Sequence, residues 1–182
     1  MIQIDFWTYF FGAILILILP LDWLIAAVCA AAIHELCHVV GIYILGGKIH
    51  SIRIGVGGAV MGAEILGKGK ELVCTLAGPV GSFLLIFLCH RFPKLAVCAG
   101  VQGIFNLLPL YPLDGGRAVQ CCLELCFPQK AERVQFVVEV IVLLGLAILA
   151  VAGTFAFSAG ILPLMVAALL ILKAILRKRP CK

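Results

Sequence analysis

His34 and His38 lie four positions apart, and Glu35 follows the first, giving the pattern H-E-x-x-H. On a helix, residues four apart share a face. Both imidazoles can therefore reach one cation, while the glutamate stays close enough to take a proton from a water beside it. Two histidines and a glutamate at this spacing are the signature of metal-assisted peptide-bond hydrolysis. The setting is unusual, because the motif sits inside an apolar run from about Trp23 to Leu45. Ionisable side chains in such a run are costly and mark function.

A catalytic zinc ion commonly has three protein ligands and one open position, so a third ligand is needed. The acidic candidates in or near apolar segments are Asp22, Asp114 and Glu139. Asp114 fits best. It lies in the stretch Asn106-Leu107-Leu108-Pro109-Leu110-Tyr111-Pro112-Leu113-Asp114-Gly115-Gly116, where two prolines break the helix. Irregular backbone near membrane depth is tolerated only where protein buries it or water reaches it. Gly115 and Gly116 would permit unusual backbone angles around the carboxylate. Cys121, Cys122 and Cys126 invite a metal reading as well, but no second pair lies at zinc-ribbon spacing.

The elements that must position these groups are membrane helices. Apolar residues make up 64% of the chain and charged residues 13%, against about 45–50% and about 25% in soluble domains. The mean hydropathy is +1.20. The pattern predicts an all-α polytopic membrane protein of about six spans: Phe6–Leu19, Trp23–Leu45, Leu72–Cys89, Leu95–Leu108, Val134–Ala152 and Phe157–Leu176. The first lacks a basic n-region and an A-x-A site, so it reads as a retained span. Between the second and third, Ile49 to Ile65 alternates β-branched residues with glycines and reads as a bent β-hairpin. H-E-x-x-H falls in the second span and Asp114 at the end of the fourth. No linker separates domains, so residues 1–182 read as one unit.

Charge sets the orientation. With six spans, one side holds both termini and the loops carrying Lys48, Arg53, Lys68, Lys70, Arg117, Lys130 and Arg133, plus Lys173, Arg177, Lys178, Arg179 and Lys182. The other side holds only Arg91 and Lys94. The positive-inside rule then places both termini in the cytoplasm of a cell membrane. The net charge of +5 reflects this lipid-facing arrangement and implies no nucleic-acid partner. Five of the nine cysteines (Cys29, Cys37, Cys74, Cys89 and Cys98) fall in apolar runs, and free thiols suit loops facing a reducing cytoplasm.

On H-E-x-x-H together with Asn106-x-x-Pro109-x-x-Pro112-Leu113-Asp114-Gly115-Gly116, and on Ala77-Gly78-Pro79 in the third span, the chain resembles the site-2 protease family of intramembrane zinc metalloproteases. Within it, the compact build resembles the branch containing stage IV sporulation protein FB, which processes a membrane-tethered sigma-factor precursor. No CBS or PDZ domain is expected here. The resemblance implies one zinc ion per chain, held by His34, His38 and Asp114, with Glu35 as general base. It implies a hydrogen bond from Asn106 to the oxyanion or the substrate backbone, and a re-entrant β element after the second span. It also implies a membrane-tethered protein substrate, such as a transcription-factor precursor, and a regulatory membrane partner.

Other readings compete. A membrane protease clipping soluble proteins would use the same motif. A non-catalytic metal-binding protein or transporter would use the same ligands, but gains little from Glu35. Asp114 by itself could be a turn residue, since Asp-Gly is a common turn pair. Asn106 and Gln102 could bond to neighbouring helices. Glu139 reads as a snorkelling or water-facing acid, Gly78 and Pro79 as packing and kink residues, His50 and His90 as solvated, and Lys48, Arg53, Lys68 and Lys70 as topology determinants.

Overall fold

The structure is a computed structural model that describes residues 2–4, 19–55, 58–64, 67–156 and 168. The spans read at Phe6–Leu19 and Phe157–Leu176 therefore lie almost wholly outside the described residues, as does the basic C-terminal run. The described elements are β1 (Ile2–Ile4), α1 (Leu21–Ile44), β2 (Lys48–Gly55), β3 (Gly58–Glu64), α2 (Lys68–Leu84) running into a 3-10 turn (Leu85–Leu88), α3 (Pro93–Asn106), α4 (Asp114–Cys126) and α5 (Ala131–Ala156).

Three helical stretches, Leu21–Ile44, Lys68–Leu88 and Ala131–Thr154, are long and apolar enough to cross a membrane. They coincide with the second, third and fifth expected spans. The fourth differs. α3 has only 14 residues, about 21 Å at helical rise, against a hydrocarbon core of about 30 Å. Pro109 and Pro112 stop it early, as expected. The connection that follows, read as a loop, instead holds the 13-residue helix α4. Its helical character was masked by the Asp-Gly-Gly start, which reads as a turn.

The helices are inside-out relative to a soluble bundle. On α1, Ala26, Ala30, His34, His38 and Ile42 are buried at a strict spacing of four. Leu21, Ile25, Val28, Leu36, Val40, Tyr43 and Ile44 are exposed. Small and polar residues thus face the interior and large apolar ones face outward, the pattern of helices packed in lipid. α1 packs on α2 and α3, α2 also packs on α3 and α4, and α5 packs chiefly on α4.

Glycine sets how close α1 and α2 come. A Cβ at Gly81 would sit 2.2 Å from Cys37 Sγ, and one at Gly41 would sit 3.1 Å from the Ala77 Cβ. α1 ends as expected at Gly46, whose φ of 75° suits glycine. Lys70 Nζ then donates to the Leu45 carbonyl at 3.2 Å. Lys68 Nζ pairs with Glu71 at 3.0 Å and with Glu124 at 2.9 Å, tying the start of α2 to the end of α4. Lys68 and Lys70 therefore clamp helix ends. At the opposite end, Lys94 pairs with Asp22 and lies over the Trp23 ring. Asp22 is thereby far from the histidines in function, engaged at the start of α1.

The stretch read as a glycine-broken hairpin carries two antiparallel strands, β2 and β3, with a register irregularity between Ile49 and Ser51. β1, which the sequence pattern does not predict, pairs parallel to β2 through Ile2 and Ile52. The strand order β1-β2-β3 leaves β3 at an edge among the described residues.

Replacing Gly81 by valine forces a branched side chain into Cys37. Over-packing of this kind costs about 1–3 kcal/mol. Gly81→Val should lower the apparent melting temperature of the detergent-solubilised protein by several degrees. Gly145→Ala, where a Cβ meets nothing within 4 Å, should not lower it. Equal melting of all three proteins would refute the close α1–α2 contact.

Candidate metal centre

α1 turns His34 and His38 onto its buried face, 1% and 9% exposed. The rings stand edge to face with centroids 4.9 Å apart. α2 crosses directly over them at Gly78. A Cβ there would lie 2.2 Å from His38 Nε2 and 2.8 Å from His34 Nε2. The glycine therefore makes the room that the imidazoles occupy. Gly78 and Pro79 are thus packing residues, as read, but Gly78 packs against the candidate ligands themselves.

Each ring is fixed from behind. His38 Nδ1–H donates to the Cys74 carbonyl at 2.8 Å, and His34 Nδ1 pairs with Ser82 Oγ at 2.8 Å. Such partners orient metal-binding imidazoles and fix which nitrogen faces the ion. Both come from α2. Neither partner is expected from the sequence pattern alone. Ser82 carried a usable signal, as a polar residue in an apolar span, and it is fully buried. A backbone carbonyl such as that of Cys74 leaves no trace in side-chain types.

Asp114 enters from the first turn of α4. Its Oδ2 lies 3.0 Å from His34 Nε2 and 3.1 Å from His38 Nε2. The approach depends on the two glycines after it, though not for the reason their sequence suggests. Gly115 and Gly116 are helical and buried. A Cβ at Gly115 would sit 2.1 Å from the Leu107 carbonyl oxygen, and one at Gly116 would sit 2.4 Å from Leu110 backbone carbon. They permit close packing of α4 on the preceding loop rather than unusual angles.

The donor set fits a cation. A carbonyl only accepts, so His38 Nδ1 carries a proton, and when the ring is neutral its Nε2 faces Asp114 bare. Nε2 and a carboxylate oxygen are both acceptors. Two acceptors 3.1 Å apart need a positive charge between them, either a proton or a metal cation. A tetrahedral zinc ion with bonds of about 2.0–2.2 Å would space its ligand atoms by roughly 3.3–3.5 Å, close to the separations found. Among the described residues, His34, His38 and Asp114 form the single group of three whose ligand atoms all lie within 4.8 Å.

The remaining candidates sort clearly. Asn106, at the end of α3, brings Nδ2 to 3.3 Å from His34 Nε2, so it faces the centre rather than a neighbouring helix. Glu35 is partly buried on α1 beside His34, with Oε2 shut off from solvent. Cys121 is buried, and burial pushes its thiol up to about 11, while Cys122 and Cys126 are exposed. The cysteine metal reading gains nothing. His50 and His90 are exposed. Glu139 is a correction. It is 8% exposed, and its Oε1 accepts from Tyr111 N at 3.3 Å and from Gln135 Nε2 at 2.9 Å. Packing of α5 on α4 turns it inward, so it is no snorkelling or water-facing acid.

The chain is similar to known proteins in part of its sequence and in its fold. Residues 68–152 match the model of Peptidase family M50. That stretch includes Asn106 and Asp114, while the histidine pair lies upstream of it. The fold is similar to that of the site-2 protease from Methanocaldococcus jannaschii, with a TM-score of 0.73 and 21% identity, over 100% of this chain and 92% of that one. No curated protein matches the sequence. The chain has three helices long and apolar enough to cross a membrane and a fold similar to that of a site-2 protease, and its residues 68–152 are similar to Peptidase family M50.

Proposed function

We propose that the chain is an intramembrane zinc endopeptidase that cuts membrane-tethered proteins within or near their spans. The observation that carries this reading is the meeting of His34 and His38 with Asp114, which lies 80 and 76 residues further along the chain. The M50 match supports the reaction class.

His34, His38 and Asp114 would hold one zinc ion. Bound there, zinc supplies Lewis-acid polarisation of a peptide carbonyl and brings the pKa of water to about 7. Glu35 takes the proton from the attacking water and returns it to the leaving amine nitrogen. Asn106 donates from Nδ2 to the oxyanion or to the substrate backbone. With Asp114 and Glu35 ionised, the charges of the loaded centre sum to zero. This matters where an unpaired charge costs about 2.5–3.5 kcal/mol at mid-span.

The topology belongs to the same proposal. Phe6–Leu19 and Phe157–Leu176 supply the first and sixth spans, both termini are cytoplasmic, and Asp114 lies on the cytoplasmic side. A substrate helix must unwind before its peptide bond is reachable. The β2–β3 pair, re-entering the membrane, offers the β3 edge to the unwound strand by β-augmentation. The substrate class includes transcription-factor precursors, and a membrane partner restrains the enzyme.

Co-expression with single-span proteins tests the reaction. A cut inside the substrate's span is expected with the wild type and not with Glu35→Gln, a loss of at least about 100-fold, while zinc stays at one per chain. Cleavage retained by Glu35→Gln would contradict the assigned base. It would also leave the metal-binding or transporter reading without its discriminating residue. Ser82→Ala should weaken zinc binding by about 10–100-fold in a chelator competition. Unchanged affinity would remove Ser82 from the centre.

A further inference from the structure

Asp114 sits at the end of a loop that contains two prolines, yet it must meet the histidines to within a few tenths of an ångström. The backbone donors of that loop show how it is held. Pro109 and Pro112 have none. Leu107, Leu108, Leu110 and Leu113 donate to Gly103, Phe105, Leu108 and Leu110 carbonyls, all within the loop or the end of α3. Tyr111 differs. Its N–H reaches out of the loop to Glu139 Oε1, 28 residues away on α5.

Glu139 is held in turn. Gln135, one turn earlier on α5 and 3% exposed, donates from Nε2 to the same Oε1 at 2.9 Å. Burying a carboxylate and an amide together is costly when packing alone is needed, since an apolar residue would fill the space. Their cost is matched by their position. The loop backbone at Leu107 and Leu110 is the surface on which Gly115 and Gly116 rest. A shift at Tyr111 therefore moves the first turn of α4, and with it the Asp114 carboxylate.

We infer that Glu139, oriented by Gln135, is a positioning residue that fixes the Tyr111 loop and so sets Asp114 against the two histidines. The inference rests on reading His34, His38 and Asp114 as the zinc ligands. Glu139 touches neither metal nor substrate in this account. It acts through the loop, and only as a hydrogen-bond acceptor.

Zinc affinity of the full chain in detergent, measured against a chromophoric chelator, tests this. Glu139→Leu should weaken binding by about 10–100-fold, the range for supports of a metal ligand. Glu139→Gln keeps an acceptor oxygen and should stay within about threefold of wild type. In an Asp114→Ala background, Glu139→Leu should cause no further loss, because its effect passes through Asp114. Three results would overturn the inference: wild-type affinity in Glu139→Leu, an equal loss in Glu139→Gln, or an equal loss with Asp114 already removed. The last is also what general unfolding would produce. The titration reads zinc alone, so a chain that shows this pattern but cleaves nothing would refute the proposed protease and leave the positioning role standing.

Discussion

Two imidazoles and a carboxylate are brought together in a largely buried place, and a cation would hold all three there. The Cys74 carbonyl holds His38 by Nδ1 and so turns its Nε2 inward. Asp114 turns a carboxylate oxygen to the same point. Without a positive charge between them, the low-dielectric interior would push these groups apart. A divalent ion there would make the same groups ligands and pin α1 to α4 across 76 to 80 residues of sequence. The fold and the proposed chemistry thus depend on the same small volume.

α2 is the scaffold that makes the volume available. It carries no ligand, yet it touches both imidazoles. Gly78 clears the imidazoles, Ser82 and the Cys74 carbonyl orient them, and Gly81 lets α1 approach. Its first turn, through Lys68, also grips the end of α4. α4 is therefore set at both ends, by an ion pair at Glu124 and by close backbone packing at Gly115 and Gly116. Rigid support of this kind is what a metal site needs to hold its geometry within a fraction of an ångström.

Much of this was legible in the residues. The apolar runs mark α1, the Lys68–Leu88 stretch and α5, and alternation with glycine marks β2 and β3. H-E-x-x-H and Asp114 were recognisable because ligand chemistry uses few residue types at fixed spacings. What escaped the sequence depends on tertiary contact. α4 was hidden because Asp-Gly-Gly signals a turn, and only packing against Leu107 and Leu110 shows why glycines start a helix there. β1 was hidden because three residues carry no period. Ser82 and Glu139 were hidden because a polar residue in an apolar run declares that it has a task without saying which. Glu139 reads as an outward acid until α5 is placed against the loop at Tyr111.

The central claim is that two distant stretches of chain share one metal ion through two imidazoles and a carboxylate. X-ray absorption at the zinc edge, on the purified full chain, tests it most directly. The account predicts a first shell of nitrogen and oxygen at about 2.0–2.2 Å with imidazole outer-shell scattering, and loss of one oxygen in Asp114→Ala. Sulfur scattering at about 2.3 Å, or a shell unchanged by Asp114→Ala, would contradict it.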